Sequence, residues 1–162
     1  MNDFFSIKYE ALKSQKLKIV DKDTERPWGG FFVISEDNAQ DFSNIYFDGL
    51  NIDELKVSGK LSPKILIIAP NKRLSWQYHH RRSEIWKVVD GEIKVITSHD
   101  DIERREEILK KGDEIRLSKG ERHRIIGLDD YALVAEIWIH TNKDNPSDEN
   151  DIVRLQDDFD RN

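Results

Sequence analysis

The stretch Leu74–Gly91, LSWQYHHRRSEIWKVVDG, decides how the rest of the chain is read. It gathers Gln77, His79, His80 and Glu84 within eight positions and runs into an apolar segment closed by Asp90-Gly91. In an extended strand alternate residues share a face. Gln77, His79 and Arg81 therefore point one way, and Tyr78, His80 and Arg82 the other. A turn must intervene before Glu84, which opens the next strand beside Trp86 and Val88. Asp90-Gly91 predicts a two-residue hairpin turn, because Gly takes positive φ readily and Asp tolerates it.

Outward from this stretch the signal stays period-two. The pattern predicts strands over 31–34, 64–69, 74–81, 84–89, 92–97, 106–110, 114–117, 123–126 and 132–140. Pro70-Asn71 and Lys111-Gly112-Asp113 supply turns between them. Short strands at close spacing predict an all-β sandwich or barrel, with contiguous antiparallel pairing as the economical topology. Residues 1–25 are polar with an imperfect helical pattern and read as an N-terminal extension, ended by Arg26-Pro27-Trp28-Gly29-Gly30. Residues 26–162 read as one domain, with Trp28 as a lid over one end of its core. Residues 39–58 read as helix, loop and short helix, and 141–150 as a polar loop.

Composition narrows the chemistry. Among 162 residues, Lys+Arg number 26 and Asp+Glu 32, a net charge of −6, which argues against nonspecific nucleic-acid binding. There are no cysteines, which excludes disulfides and thiolate metal sites. Any metal must be held by imidazole, carboxylate or amide oxygen. No 18-residue apolar run and no signal-peptide core occur, so the expectation is a cytoplasmic protein without membrane contact.

If the Gln77 face points into a barrel, Gln77 and His79 converge with Glu84 across neighbouring strands. His123, in GDEIRLSKGERH, is the candidate fourth member. Two histidines, a carboxylate and an amide oxygen suit a first-row divalent ion, zinc among them. His99 and His140 read as ordinary surface histidines.

These residues resemble the cupin superfamily. Its first motif, a histidine pair and a glutamate followed by a glycine, is matched by Glu84 and Gly91 at the family's spacing, and its second by Gly112, Ser118, Gly120 and His123, with Ser118 in the usual proline place. The resemblance is closer still to the cupin domain of type II mannose-6-phosphate isomerases, through Leu74-Ser75, Gln77, His79, Arg82-Ser83-Glu84, Trp86, Val88-Val89 and Gly91. The flanks Arg26-Pro27-Trp28-Gly29 and Asp151-Ile152-Val153-Arg154 agree with that branch, so the likeness covers roughly residues 25–161. No guanylyltransferase portion, to which such domains are often fused, is expected here. Arg81 stands where the family usually has the second histidine of the pair, and Ile85 where it usually has a histidine after the glutamate.

The resemblance implies a cupin fold (a double-stranded β-helix, or jelly-roll barrel), a homodimer and a sugar-phosphate substrate. It implies aldose–ketose isomerisation through an enediol, with Gln77, His79, Glu84 and His123 as ligands of a divalent metal ion. Arg82 and Arg154 match family positions suited to the phosphate, with Arg81 beside them in sequence. His80, Glu136 and Glu84 are the candidate bases, and Arg154 is carried with His80 and Glu136 in the catalytic set. The rival expectations are a non-catalytic cupin that binds a sugar or sugar phosphate, and an isomerase or epimerase of another phosphorylated or nucleotide-linked sugar.

Overall fold

The period-two segments become eleven strands in two antiparallel sheets, seen in a computed structural model that describes residues 2–57 and 59–161. Helix α1 (Asp3–Ser14) leads into β1 (Ile19–Arg26) and β2 (Gly29–Ile34). Helix α2 (Ala39–Tyr46) and a 3-10 turn at Ile52–Glu54 precede β3 (Lys64–Ile68), β4 (Trp76–Tyr78), β5 (Arg82–Asp90) and β6 (Glu92–Ser98). The chain continues through β7 (Arg105–Lys110), β8 (Glu114–Leu117), β9 (Arg122–Gly127), β10 (Ala132–His140) and β11 (Val153–Gln156). One sheet has the order β1-β2-β3-β10-β5-β8 and the other β11-β4-β9-β6-β7.

Alternation along the central strands splits the core in two. Ile65 and Ile67 of β3, Ile85 of β5 and Ala135 and Ile137 of β10 face the helices, where they meet Phe5, Leu12, Phe32 and Phe42. Leu66 and Ile68, Trp86 and Val88, and Val134 face the second sheet, where they meet Ile93, Val95 and Ile125. β3 is thus buried on both faces, as its unbroken KILII run requires. Each of these aliphatic side chains contributes about 1.5–3 kcal/mol by leaving water. Trp28 is buried in the inter-sheet cluster, as expected of a lid residue.

The N-terminal segment is part of the same core. Asn2 caps α1 by accepting from the Phe5 amide at 3.0 Å. Phe5 and Leu12 then pack with Phe32 and Ile65. β1, which crosses the 25/26 boundary read from the sequence, pairs with β2. Among the described residues no helix is long and apolar enough to cross a membrane.

The expectation of contiguous pairing holds for β2–β3 and β6–β7 and is corrected elsewhere. β5 and β6, joined at Gly91, do not form a hairpin; β5 pairs with β10 and β8, and β6 with β9 and β7. Gly91 (φ +74°) instead turns the chain from one sheet into the other. A Cβ there would lie 2.6 Å from the Tyr131 carbonyl oxygen, so glycine is required by space as well as by φ. β4 is also shorter than the predicted 74–81, because the chain bends at His79–Arg81.

Candidate metal centre and its cavity

The centre forms where the two sheets face each other. β4 and β9 pair with Gln77 opposite His123, and His79 follows β4 directly. Glu84 reaches in from β5 of the other sheet. The Nε2 atoms of His79 and His123 lie 3.2 Å apart, and each is 3.1 Å from Glu84 Oε1. All three residues are at most 3% exposed.

Backbone carbonyls fix what these atoms present. His79 Nδ1 is 2.7 Å from the Asp151 carbonyl oxygen, and His123 Nδ1 is 2.9 Å from that of Glu121. A carbonyl only accepts, so each Nδ1 carries a hydrogen and each ring turns its Nε2 inward toward Glu84. Burial pushes the His79 imidazole below its ordinary value, which keeps it neutral. Glu84 Oε1 has no hydrogen-bond partner. Two imidazole nitrogens and a carboxylate oxygen therefore face one point; Arg82 Nη2 reaches His79 Nε2, but no donor reaches Glu84 Oε1, and a buried oxygen left so is costly. Ligands held about 2.0–2.2 Å from one first-row ion are themselves about 3 Å apart, which is the spacing seen. The set fits a divalent metal, and the Nδ1–carbonyl bonds are the outer support such ligands use.

Charge near the centre is divided. Burial works against ionisation of Glu84, but the Arg82 guanidinium, 3.8 Å from Oε2, together with His79 and His123 outweighs it and holds the carboxyl well below the usual range. Arg82 Nη2 also lies 3.2 Å from His79 Nε2. The same guanidinium stacks 3.6 Å from the centroid of Trp138 and donates through Nη1 to Ser147 Oγ. Lys64 Nζ likewise lies 3.6 Å from the Trp138 centroid. Glu136 accepts from the indoles of Trp86 (2.8 Å) and Trp138 (2.9 Å). Burial, then the adjacent Glu84, push its carboxyl well above the carboxylate range, against the pull of Lys64 and Arg82.

A cavity of about 550 Å³ opens onto this centre. Gln77, Arg82, Glu84, Trp86, Glu136 and Arg154 line it, together with Arg26, Lys64 and Arg161. The structure thus gathers most of the residues singled out from the sequence, with four differences. Gln77 turns its amide nitrogen, not its oxygen, to His79 Nε2 at 3.5 Å, while Ser75 Oγ donates to its Oε1. A half-turn of the amide exchanges these roles, since a hydroxyl can also accept. His80 is exposed against Tyr78, outside the cavity. Arg81 pairs with Asp148 (3.5 Å) and Asp151 (3.8 Å) and does not line the cavity. Arg82, expected on the opposite face from His79, starts β5 and shares the inward face with Glu84.

Asp151 causes the last three. Its carboxylate accepts from the amides of His80 (2.9 Å) and Arg81 (3.0 Å), capping a bend that resets the alternation. No sequence pattern announces this role for Asp151, although it sits in the DIVR segment. His140, read as a surface residue, is fully buried. It accepts from the Ser147 amide at 2.9 Å and lies 3.2 Å from Ser62 Oγ.

These features define the class: two facing antiparallel sheets with an imidazole–carboxylate cluster between them, a cupin with a candidate metal centre. The chain belongs to the family described as mannose-6-phosphate isomerase C-terminal, whose model matches residues 35–157. No curated protein matches it. Among solved structures it is similar to CapF with the inhibitor 3-isopropenyl-tropolone, at 16% identity and TM-score 0.57 over 86% of this chain and 34% of that one. It is similar to oxalate decarboxylase from Bacillus subtilis at 17% identity and TM-score 0.56, over 83% and 30%. A cupin sugar phosphate isomerase from Silicibacter pomeroyi matches at 15% identity and TM-score 0.43, over 49% and 50%. The chain thus spans half or less of the length of each of these three chains.

Proposed function

We propose that the protein is a metal-assisted aldose–ketose isomerase of a sugar phosphate, of the mannose 6-phosphate to fructose 6-phosphate type. The observation that carries this reading is the convergence of His79 Nε2, His123 Nε2 and Glu84 Oε1 on one point at a cavity rich in arginine. Family membership supports the reaction class.

His79, Glu84 and His123, with Gln77 after an amide turn, would hold the ion. A bound divalent ion would polarise the sugar oxygens and offset negative charge developing on them. Isomerisation moves a proton from C2 to C1 and another from O2 to O1, through an enediol. Glu136 is the cavity residue suited to the carbon-bound proton. In its ionised form it takes the proton from C2, and as the acid it returns the proton to C1. The Trp86 and Trp138 indoles fix both its oxygens, so its position survives either protonation state. Glu84 engaged in holding a cation would raise the Glu136 carboxyl less than free Glu84 does. Arg154 and Arg82 supply positive charge to substrate oxygens; His80 and Arg81, outside the cavity, take no part. Two copies would pair through open edge strands such as β1 or β7.

One observation favours the rival, a non-catalytic cupin that binds a sugar phosphate. Arg82 Nη2 already approaches the His79 lone pair. Metal analysis of the purified protein and a coupled mannose 6-phosphate assay with added Zn, Mn, Co or Ni decide between them. Turnover in parallel with metal content supports the isomerase. Absence of both, with sugar-phosphate binding retained, supports the rival. A panel of other phosphorylated and nucleotide-linked sugars tests the choice of substrate.

A further inference from the structure

We propose that Arg26, Arg154 and Arg161 form a subsite for a phosphate monoester, separate from the His79–Glu84–His123 centre and not using Arg81 or Arg82. The identity of the ligand rests on the sugar-phosphate reading; the existence of an anion site does not. All three arginines line the cavity. They are half-buried where the metal-ligand triad is buried, which puts them toward its solvent side.

Their unused donors mark the site. Arg154 makes no ion pair among the described residues, and its Nε–H is buried without a partner. Arg26 Nε is likewise unpartnered, lying 3.1 Å from Asp23 Oδ2 without the alignment of a hydrogen bond. Arg161 is clamped by Asp157 through Nε (2.8 Å) and Nη2 (3.0 Å), which aims the guanidinium and leaves Nη1 unused. Burial and then the Arg161 charge hold the Arg154 guanidinium below its ordinary value, with Arg26 adding to the shift and Asp157 and Glu149 opposing it. The chain as a whole carries −6, so this cluster runs against the general charge. Planar guanidinium forks with free N–H groups match the oxygens of a phosphate dianion.

Arg81 and Arg82 also leave a buried Nε unpartnered, but the rest of each guanidinium is engaged: Arg82 with Ser147, the Asp148 carbonyl, His79 Nε2 and the Trp138 face, and Arg81 with Asp148 and Asp151 outside the cavity. The fold also fixes the spacing between the two ends of a substrate. Arg154 pairs directly across from Gln77 in the β4–β11 ladder. A phosphate on Arg154 would therefore place the rest of the sugar toward the ligand triad.

The test is calorimetric titration of the full chain with inorganic phosphate and with fructose 6-phosphate, in chelator and again with zinc. Wild type should bind both in either condition. Arg154→Met should weaken both by at least about tenfold, and Arg161→Met by several-fold, as expected for lost charge-assisted hydrogen bonds. Glu84→Gln should lose zinc but keep phosphate. The proposal is overturned if wild type binds neither ligand, if both arginine variants stay within about twofold of wild type, or if Glu84→Gln abolishes phosphate binding. Should Arg154→Met fail to fold, Arg161→Met at the chain end still decides. Binding lost in the arginine variants of a protein without isomerase turnover leaves the subsite standing and removes the isomerase. Turnover whose KM is unmoved by either variant does the reverse.

Discussion

Two buried polar clusters share strand β9, and they differ in what they leave undone. Arg124 is 2% exposed, and every direction of its guanidinium is answered: Nε donates to the Leu74 carbonyl at 2.9 Å, Nη1 to Glu103 at 2.9 Å and Nη2 to Gln156. His123, the preceding residue, is equally buried, yet Glu84 Oε1, which its Nε2 faces at 3.1 Å, has no hydrogen-bond partner. The first cluster ties β9 to the segment before β4 and to β11, and is complete within the chain. The second is complete only with something added. Burial is the same in both, so burial alone does not mark a functional residue. The unanswered lone pair does.

The largest expected effect separates the clusters by ligand. His123→Ala should weaken zinc or cobalt binding by more than about a hundredfold, since loss of a ligand exceeds the usual effect of an outer support. Its chemical stability without metal should change little, because it also removes a crowded lone pair. Competition against a chromophoric chelator reads the first quantity and urea unfolding the second.

Next comes an acid-sensitive member of the satisfied kind. His140 accepts the Ser147 amide at Nδ1, and burial with nearby Lys60, Arg82 and Lys64 lowers its pKa to about 4. The unfolded chain binds this proton near pH 6.5 and the folded chain only near 4. Its contribution is therefore complete above about 6.5 and lost as pH falls toward 4, about 3 kcal/mol in all. His140→Gln should flatten the pH dependence of stability in that window.

Arg124→Met should cost about 1–3 kcal/mol in urea unfolding, less than for a fully buried pair because Glu103 keeps part of its water. Metal affinity should stay as in wild type. Loss of metal binding here would show that the two clusters are one unit.

The smallest effect concerns Arg82. Its guanidinium competes for the His79 lone pair, so Arg82→Met at about pH 8 should tighten metal binding by about three- to tenfold at the effective dielectric of such a site. Weaker binding would mean that Arg82 serves chiefly to keep Glu84 ionised.

The sequence made part of this legible for physical reasons. β3, β5 and β10 are buried strands whose apolar runs carry the pattern directly, and β10 falls at Ala132–His140 as predicted. His79, Glu84 and His123 were found because strand spacing and the two motifs fix them together. β1 was missed because IVDKDTER, an edge strand exposed along much of its length, has no apolar face to announce it. The Asp90-Gly91 turn predicts a change of direction but not which sheet receives the chain. Arg82 was assigned to the wrong face because the bend after His79 is held by Asp151, a residue 70 positions away from Arg81. No local pattern carries a cap of that separation.

The central claim is that His79, Glu84 and His123 form one metal site. Titration of metal-free protein with cobalt, followed by the visible absorption of the bound ion, tests it most directly. The account predicts saturation at one ion per chain in wild type and no such site in Glu84→Gln. Saturation of Glu84→Gln at the same stoichiometry and affinity, or no binding by wild type, would contradict it.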